Sequence, residues 1–346
     1  MFENIYETSK KSRISENRGF SNIPKVEKPD FYIDLAIRSA KKYASSVKPR
    51  EKHKIRRQAE IESTKAETFT RTIRSHIEKI SASFPSLNQL PIFYKELLDI
   101  LIGSDKLRMN LARLSGIVPA IENLQQKMNS KARKANDILE VQKAKSEFYG
   151  RSFSIAKKAK DAFAFIENAR KTLKAFPSIK TKMPTICICG YPNVGKSTLL
   201  SKLTGSTPEI AAYAFTTKRL MMGYIEGKLQ LIDTPGAFTD NLKKMNWLER
   251  QSYLAVKHLS KKIIFVFDIS ETCGFEIEQQ EELFKQFTRK FRAKQFIIYL
   301  SKTDLGLEKK EQFMETHQDY KIFDDSDELK QFLLILKPSE IVPMEL

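Results

Sequence analysis

Apolar residues return every three or four positions through much of the first half of the chain. Phe69, Ile73, Ile77, Ile80 and Phe84 mark one face of an amphipathic helix running from about residue 51 to 84, where Phe84-Pro85 ends it. A second helix is expected from about Gln89 to Ile102; Gly103-Ser104-Asp105 then breaks the pattern and offers an N-cap. The next stripe is Leu107, Leu111, Leu114, Val118, Ile121 and Met128. Gly116 and Pro119 interrupt it, and a kink or break is expected there. A fourth helix is expected from about Phe153 to Phe176, with Ala156, Phe163, Ile166 and Leu173 turned inward. With no β pattern between them, these helices should pack as an antiparallel bundle.

After about residue 184 the pattern changes to short apolar runs. Thr185–Cys189, Leu220–Ile225, Leu229–Ile232 and Phe296–Leu300 read as buried strands, and Thr198-Leu199-Leu200 after the first reads as helix, which suits an α/β fold with a mostly parallel sheet and helices on both faces. At 346 residues the chain is long for one core. The expected division is an N-terminal extension (1–25), a helical bundle (26–180), an α/β domain (184–338) and a short tail (339–346).

Charge sharpens this division. Residues 1–183 hold 38 Lys and Arg against 20 Asp and Glu, whereas residues 184–346 hold 22 of each, so the whole net charge of +18 lies in the first half. A basic helical domain beside a neutral α/β domain points to a polyanionic partner, and nucleic acid is the usual one. The densest cluster is Lys41, Lys42, Lys48, Arg50, Lys52, Lys54, Arg56 and Arg57 against Glu51 alone. Such a surface neutralises backbone phosphates, and its affinity falls steeply with salt. His53 and His76 lack any plausible catalytic partner and read as surface or packing residues. Neither a membrane span nor a secretory leader is legible, so the chain reads as intracellular. Cys187, Cys189 and Cys273 form neither a disulfide framework nor a zinc pattern.

The chemistry lies in the second half. Gly190-Tyr191-Pro192-Asn193-Val194-Gly195-Lys196-Ser197 follows a strand, and Ser197 with Thr198 opens a helix. That is the context of a phosphate-binding loop: backbone N–H groups and a helix N-terminus face the phosphates, Lys196 reaches the β and γ phosphates, and Ser197 binds Mg²⁺. Asp233-Thr234-Pro235-Gly236 follows the next buried strand, placing Asp233 to hold Mg²⁺ through water and the Gly236 N–H near the γ-phosphate. Thr216 or Thr217, with Thr217 favoured, should close over the metal when triphosphate is present. Ser301-Lys302-Thr303-Asp304 ends a later strand, so that Asp304 accepts both N–H groups of a guanine edge and Lys302 packs along the base. Ser301 stands where such sites usually have Asn; one hydroxyl donor should keep guanine preference at a loss of about 1–2 kcal/mol.

These motifs, together with Tyr213-Ala214-Phe215-Thr216-Thr217-Lys218 and Asp268-Ile269-Ser270-Glu271-Thr272-Cys273-Gly274, resemble the nucleolar GTP-binding protein (Nog) family within the Obg-related GTPases. Ile23-Pro24, Phe84-Pro85-Ser86-Leu87, Pro91-Ile92-Phe93-Tyr94 and Phe176-Pro177-Ser178-Ile179 carry the resemblance into the helical half. It implies a helical bundle followed by a P-loop GTPase domain that binds GTP and GDP with Mg²⁺. The implied task is large ribosomal subunit assembly, the implied partner large-subunit rRNA or a pre-ribosomal particle, without a membrane, with the free chain a cytoplasmic monomer of the compact archaeal type. Asn193 is similar to an asparagine with which relatives bind a K⁺ ion. After Gly236, Ala237-Phe238-Thr239-Asp240 offers no side chain to orient water, so hydrolysis should be slow; Lys243, Lys244 and Arg250 are candidate internal cations. Phe323-Asp324-Asp325-Ser326 puts two acids where backbone should meet the purine. A competing reading is an rRNA-binding module with a degenerate nucleotide site.

Overall fold

The computed structural model describes residues 20–205, 209–210, 220–234, 245–305 and 307–341. The described residues divide into two units, one holding residues 20–89 and 98–174 and the other residues 90–97 and those from 175 to 341. The expected switch residues Thr216, Thr217 and Gly236, with residues 213–218 and 235–244, lie outside the described residues.

The first unit is helical. It contains α1 (Pro29–Ser46), α2 (Lys54–Ser83), the last part of α3 (Ile92–Leu101), α4 (Ser104–Ser115), α5 (Ile117–Lys134), α6 (Ile138–Lys158) and α7 (Lys160–Lys174). The long α2 is its spine, packing against α1, α5 and α6. Phe69, Ile73, Ile77 and Ile80 are all buried, as their spacing requires. Phe69 meets Phe148 of α6 edge-on, with ring centroids 5.6 Å apart. Gly116 separates α4 from α5, so the expected interruption is a true break, and Pro119 falls in the first turn of α5, where its missing N–H costs nothing.

One expectation is corrected here, and one helix is new. The fourth helix does not run unbroken from 153 to 176; Ala159 (φ −90°, ψ 5°) divides it, and α6 begins much earlier, at Ile138, with Asp137 as its N-cap accepting from Glu140 N–H at 2.8 Å. Residues 29–46, read from sequence only for the charge at their end, form a full helix with Pro29 in its first turn and Tyr32, Ile33, Ala36 and Ala40 inward.

The second unit carries a seven-stranded sheet made of β1 (Thr185–Cys189), β2 (Glu209–Ile210), β3 (Met221–Ile225), β4 (Leu229–Asp233), β5 (Ser260–Asp268), β6 (Gln295–Ser301) and β7 (Lys321–Phe323). Their order is β2-β3-β4-β1-β5-β6-β7, with β4, β1, β5, β6 and β7 parallel and the β2/β3 and β3/β4 pairings antiparallel. Around it lie α8 (Lys196–Thr204), α9 (Trp247–His258), α10 (Ile277–Lys290), α11 (Leu307–Thr316), α12 (Ser326–Ile335) and α13 (Pro338–Ile341). All five residues of β1 and all five of β4 are buried, which explains their continuous apolar runs. β1 lies where the chain reverses direction across the sheet, with β4 on one side and β5 on the other, and in open α/β sheets ligands bind beyond the carboxyl ends of the strands at such a point.

Candidate nucleotide site

Beyond Cys189 the chain turns through Gly190 at φ 138°, Asn193 at φ 64° and Gly195 at φ 97°. Glycine is required at 190 twice over: a Cβ there would meet the Val266 carbonyl oxygen at 2.5 Å, besides the backbone strain. Val194 is buried between these turns, anchoring the loop to the core, and α8 opens at Lys196 with its free N–H groups and the positive end of its dipole at the loop mouth. The loop is thus a concave set of backbone donors.

Two polar side chains converge on it. Lys196 is only 8 % exposed, and its Nζ donates to the Tyr191 carbonyl at 2.6 Å. Burial lowers its proton affinity, and the nearby Asp233 carboxylate partly offsets this. The Ser197 hydroxyl donates to Asp233 Oδ2 at 2.6 Å. Asp233 is placed by register: Ile188 of β1 pairs with Asp233, the last residue of β4. Burial raises the Asp233 carboxyl, while Ser197 and Lys196 pull it down. Its other oxygen, Oδ1, is buried without a hydrogen-bond partner. A buried carboxylate oxygen without a donor, beside a serine hydroxyl, is a hard oxygen donor set suited to a divalent cation such as Mg²⁺. Thr234 next to it is locked by its N–H and hydroxyl, both donating to the Ile188 carbonyl at 3.0 and 2.8 Å.

The 301–304 segment differs from expectation. The Ser301 hydroxyl does not face outward to a base; it sits 2.7 Å from the Val194 carbonyl and 3.0 Å from the Phe267 carbonyl, so its single proton is spent on backbone. Ser301 therefore ties β6 to the phosphate loop. Lys302, at φ 54°, donates to Asp268 Oδ2 and Thr272 Oγ1, both at 2.7 Å, and to the Asn193 carbonyl at 3.2 Å. Asp304 is exposed in a 3-10 turn over Thr303–Leu305. The two acids at 324 and 325 have local partners: Asp325 caps α12 through Asp327 and Glu328 N–H, and Asp324 pairs with Lys310. Arg250 donates to the Met245 carbonyl at 2.9 Å.

Asp268, which carries no role in the sequence reading beyond membership of a matching motif, is the hub of this region. Fully buried at the end of β5, its carboxylate accepts from Ser270 N–H and Oγ on one oxygen and from Thr272 Oγ1, Cys273 N–H and Lys302 Nζ on the other. Burial alone would raise it, but these donors hold it below the usual carboxylate range. Alongside, Tyr191 stacks on Phe275 with centroids 4.0 Å apart, steadying the phosphate loop from outside. The signal for the hub was the run of short hydroxyl residues after a buried strand, a composition that favours turns closed on an aspartate.

Among the described residues there is no cluster of three or more His, Cys, Asp or Glu able to hold a metal, the three cysteines are buried and unpaired, and no helix is long and apolar enough to cross a membrane.

Residues 20–180 match the family described as NOG1 N-terminal helical domain, and residues 185–302 the family described as 50S ribosome-binding GTPase. An uncharacterised protein of Methanocaldococcus jannaschii is 35 % identical over 290 residues, covering 84 % of this chain and 82 % of that one. Nucleolar GTP-binding protein 1 of Saccharomyces cerevisiae is 31 % identical over 83 % of this chain, but the match spans 44 % of the yeast protein. A crystal structure of a nucleolar GTP-binding protein 1 from Plasmodium falciparum aligns with 46 % of this chain and 87 % of its own at 26 % identity, with a TM-score of 0.36. The chain thus spans less than half the length of the yeast relative.

Proposed function

This chain belongs to the nucleolar GTP-binding protein (Nog) family with its P-loop GTPase domain, and on that premise we propose that it is a slow GTP-hydrolysing switch in large ribosomal subunit assembly. The observation that carries the proposal is the convergence of the Lys196 ammonium and the Ser197–Asp233 pair on one loop of backbone donors. In this reading Lys196 exchanges the Tyr191 carbonyl for β- and γ-phosphate oxygens. Ser197 and Asp233 hold Mg²⁺, with Thr217 joining them, and the Gly236 N–H meets the γ-phosphate. Bound there, Mg²⁺ neutralises charge on the phosphates. Lys302, held by Asp268, lies along the purine, and Asp304 selects guanine. Ser301 keeps the loop in place without touching the base, so guanine recognition rests on Asp304 and backbone. Asn193 is the candidate K⁺ ligand; equal turnover in K⁺ and Na⁺ buffers would rule that role out.

Slow hydrolysis follows from the Ala237-Phe238 sequence after Gly236, which offers nothing to orient water. The partner is large-subunit rRNA in a pre-ribosomal particle. In support, the basic cluster at 41–57 is spread over the end of α1, the connection and the start of α2, and its side chains are mostly exposed. The free chain is proposed to be a cytoplasmic monomer. The test is calorimetry of GTP, GDP and ATP with Mg²⁺ on the chain and on Lys196→Ala. Guanine-selective binding lost in the variant supports the switch; binding without selectivity would favour an rRNA-binding module with a degenerate site.

A further inference from the structure

The opposite end of the sheet carries a second feature. A groove of about 720 Å³ opens near the amino ends of β5, β6 and β7; Gln295 and Lys321 begin their strands, Lys262 is the third residue of β5, and all three line it. From Lys262 to Asp268 is six residues of extended strand, roughly 20 Å, so the groove is separate from the nucleotide end. Its lining holds four basic side chains, Lys262, Arg292, Lys294 and Lys321, against two acids, Asp319 and Glu340, in a half of the chain that is otherwise charge-balanced.

Three observations indicate what would fill it. First, Lys262 is 8 % exposed, yet its only hydrogen-bond partner is the neutral amide oxygen of Gln295, its cross-strand neighbour. No described carboxylate lies within ion-pair distance of this ammonium; Glu340 of the same lining acts on it only from further away. A buried cation satisfied by one neutral acceptor gains strongly from an incoming anion. Second, the wall beside it is apolar: Ile335 is 76 % exposed at the end of α12, next to the half-buried Phe332 and Leu336. An exposed aliphatic rim beside cationic groups suits a partner carrying both apolar and acidic side chains. Third, the Phe332 ring already has Lys321 Nζ 4.3 Å from its centroid and the Phe323 ring 5.2 Å away, which disfavours it as a platform for a nucleic-acid base.

We propose that this groove docks an acidic protein segment, whose carboxylate pairs with Lys262 and whose apolar side chain packs on Ile335 and Leu336. The segment comes from another protein, and charge complementarity with the groove selects it. Docking there leaves the nucleotide end free.

A random 12-residue peptide library displayed on phage, selected on the full chain, tests this. Enriched sequences should combine Asp or Glu with Leu, Ile or Phe. Synthetic peptides from the selection should bind with anisotropy midpoints raised at least about tenfold by Ile335→Ser and by Arg292→Glu, while GDP binding stays unchanged. Both substituted positions are exposed, so the variants should fold; Lys262→Met is the stricter third arm. No enrichment, enrichment of basic or purely polar peptides, or equal binding to Ile335→Ser and Arg292→Glu would overturn the proposal. So would a 12-nucleotide RNA that competes for the groove and loses affinity in the same variants.

Discussion

Replacing Asp268 by asparagine keeps the side chain's shape and removes its charge. The consequence can be worked from its neighbours. One oxygen faces Cys273 N–H and Lys302 Nζ, each at 2.7 Å, and Thr272 Oγ1 at 3.2 Å; the other faces Ser270 N–H at 3.1 Å and Ser270 Oγ at 2.6 Å. Whichever way the new amide turns, its NH₂ group points at donors. Charged hydrogen bonds contribute about 1.5–3 kcal/mol each, and breaking one side of a buried pair costs about 3–5 kcal/mol. The Lys302 side chain is 30 % exposed and keeps Asn193 and Thr272 as partners, so its cation is partly rehydrated and the lower figure applies: a loss of about 3 kcal/mol. Trp247 is the only tryptophan and lies in the same unit, so urea unfolding followed by its fluorescence reads the loss directly. Lys302→Met and the double variant complete a cycle with an expected coupling of at least about 1 kcal/mol. The pH dependence has a definite sign. Asp268 is held below its ordinary value of 3.8, so its stabilisation is present above that pH and is lost as pH falls through the lower folded-state value. Parent and variant should therefore converge in acid. A loss below about 1 kcal/mol, or coupling near zero, would refute the hub.

Other outcomes follow from the same geometry. Asp233→Asn should abolish Mg²⁺-dependent nucleotide binding yet stabilise the nucleotide-free chain, because burial raises this carboxyl and ionising it works against folding. The stability advantage of the variant should grow as pH rises through the folded-state value of Asp233, and thermal melts between pH 4 and 7 check it. Gly223→Ala would place a Cβ 2.4 Å from Thr204 Cγ2, costing about 1–3 kcal/mol, and Thr204→Ala in that background should recover part of it in the same unfolding assay. Glu62→Ala should cost about 3 kcal/mol, since the buried carboxylate lies 2.9 Å from Lys65 Nζ and 3.4 Å from Lys145 Nζ; helical ellipticity during melting reads this. Charge reversal at Arg56 and Arg57 should flatten the salt dependence of rRNA binding, measured by filter binding from 50 to 200 mM KCl.

The phosphate loop was legible because its chemistry is local: eight consecutive residues dictate the turns, and glycine or asparagine stands at each position of positive φ. The long α2 was legible because its stripe is made of large side chains. The inward face of α1 has Tyr32 and Ile33 only in its first turns and continues with Ala36 and Ala40, and that of α6 interleaves Val141 and Phe148 with Ala144, Ser152 and Ala156, so small or polar residues dilute the periodic signal of both. Ala159 breaks a helix without glycine or proline, so nothing local announces it. The Asp268–Lys302 pair joins residues 34 apart, and the inward turn of the Ser301 hydroxyl depends on two carbonyls brought by β5 and the phosphate loop. Such contacts are products of strand order, which the sequence implies only in outline.

The short segment 90–97, counted with the sheet although it lies in the helical half of the sequence, bears on how this protein can be taken apart. Tyr94 uses its hydroxyl to bind Pro177 and Ile179, and the Glu96 carboxylate lies 2.9 Å from Lys257 and 3.0 Å from His258 of α9. A gene fragment beginning at residue 185 would discard that segment together with Phe176, which faces Trp247. Such a truncation would leave one side of α9 bare, and it would be a poor stand-in for the intact molecule in crystallisation or kinetics. The same dependence restrains recombination: a nucleotide-binding cassette that borrows eight residues from ninety positions upstream cannot be moved between genes by a single cut at its first strand.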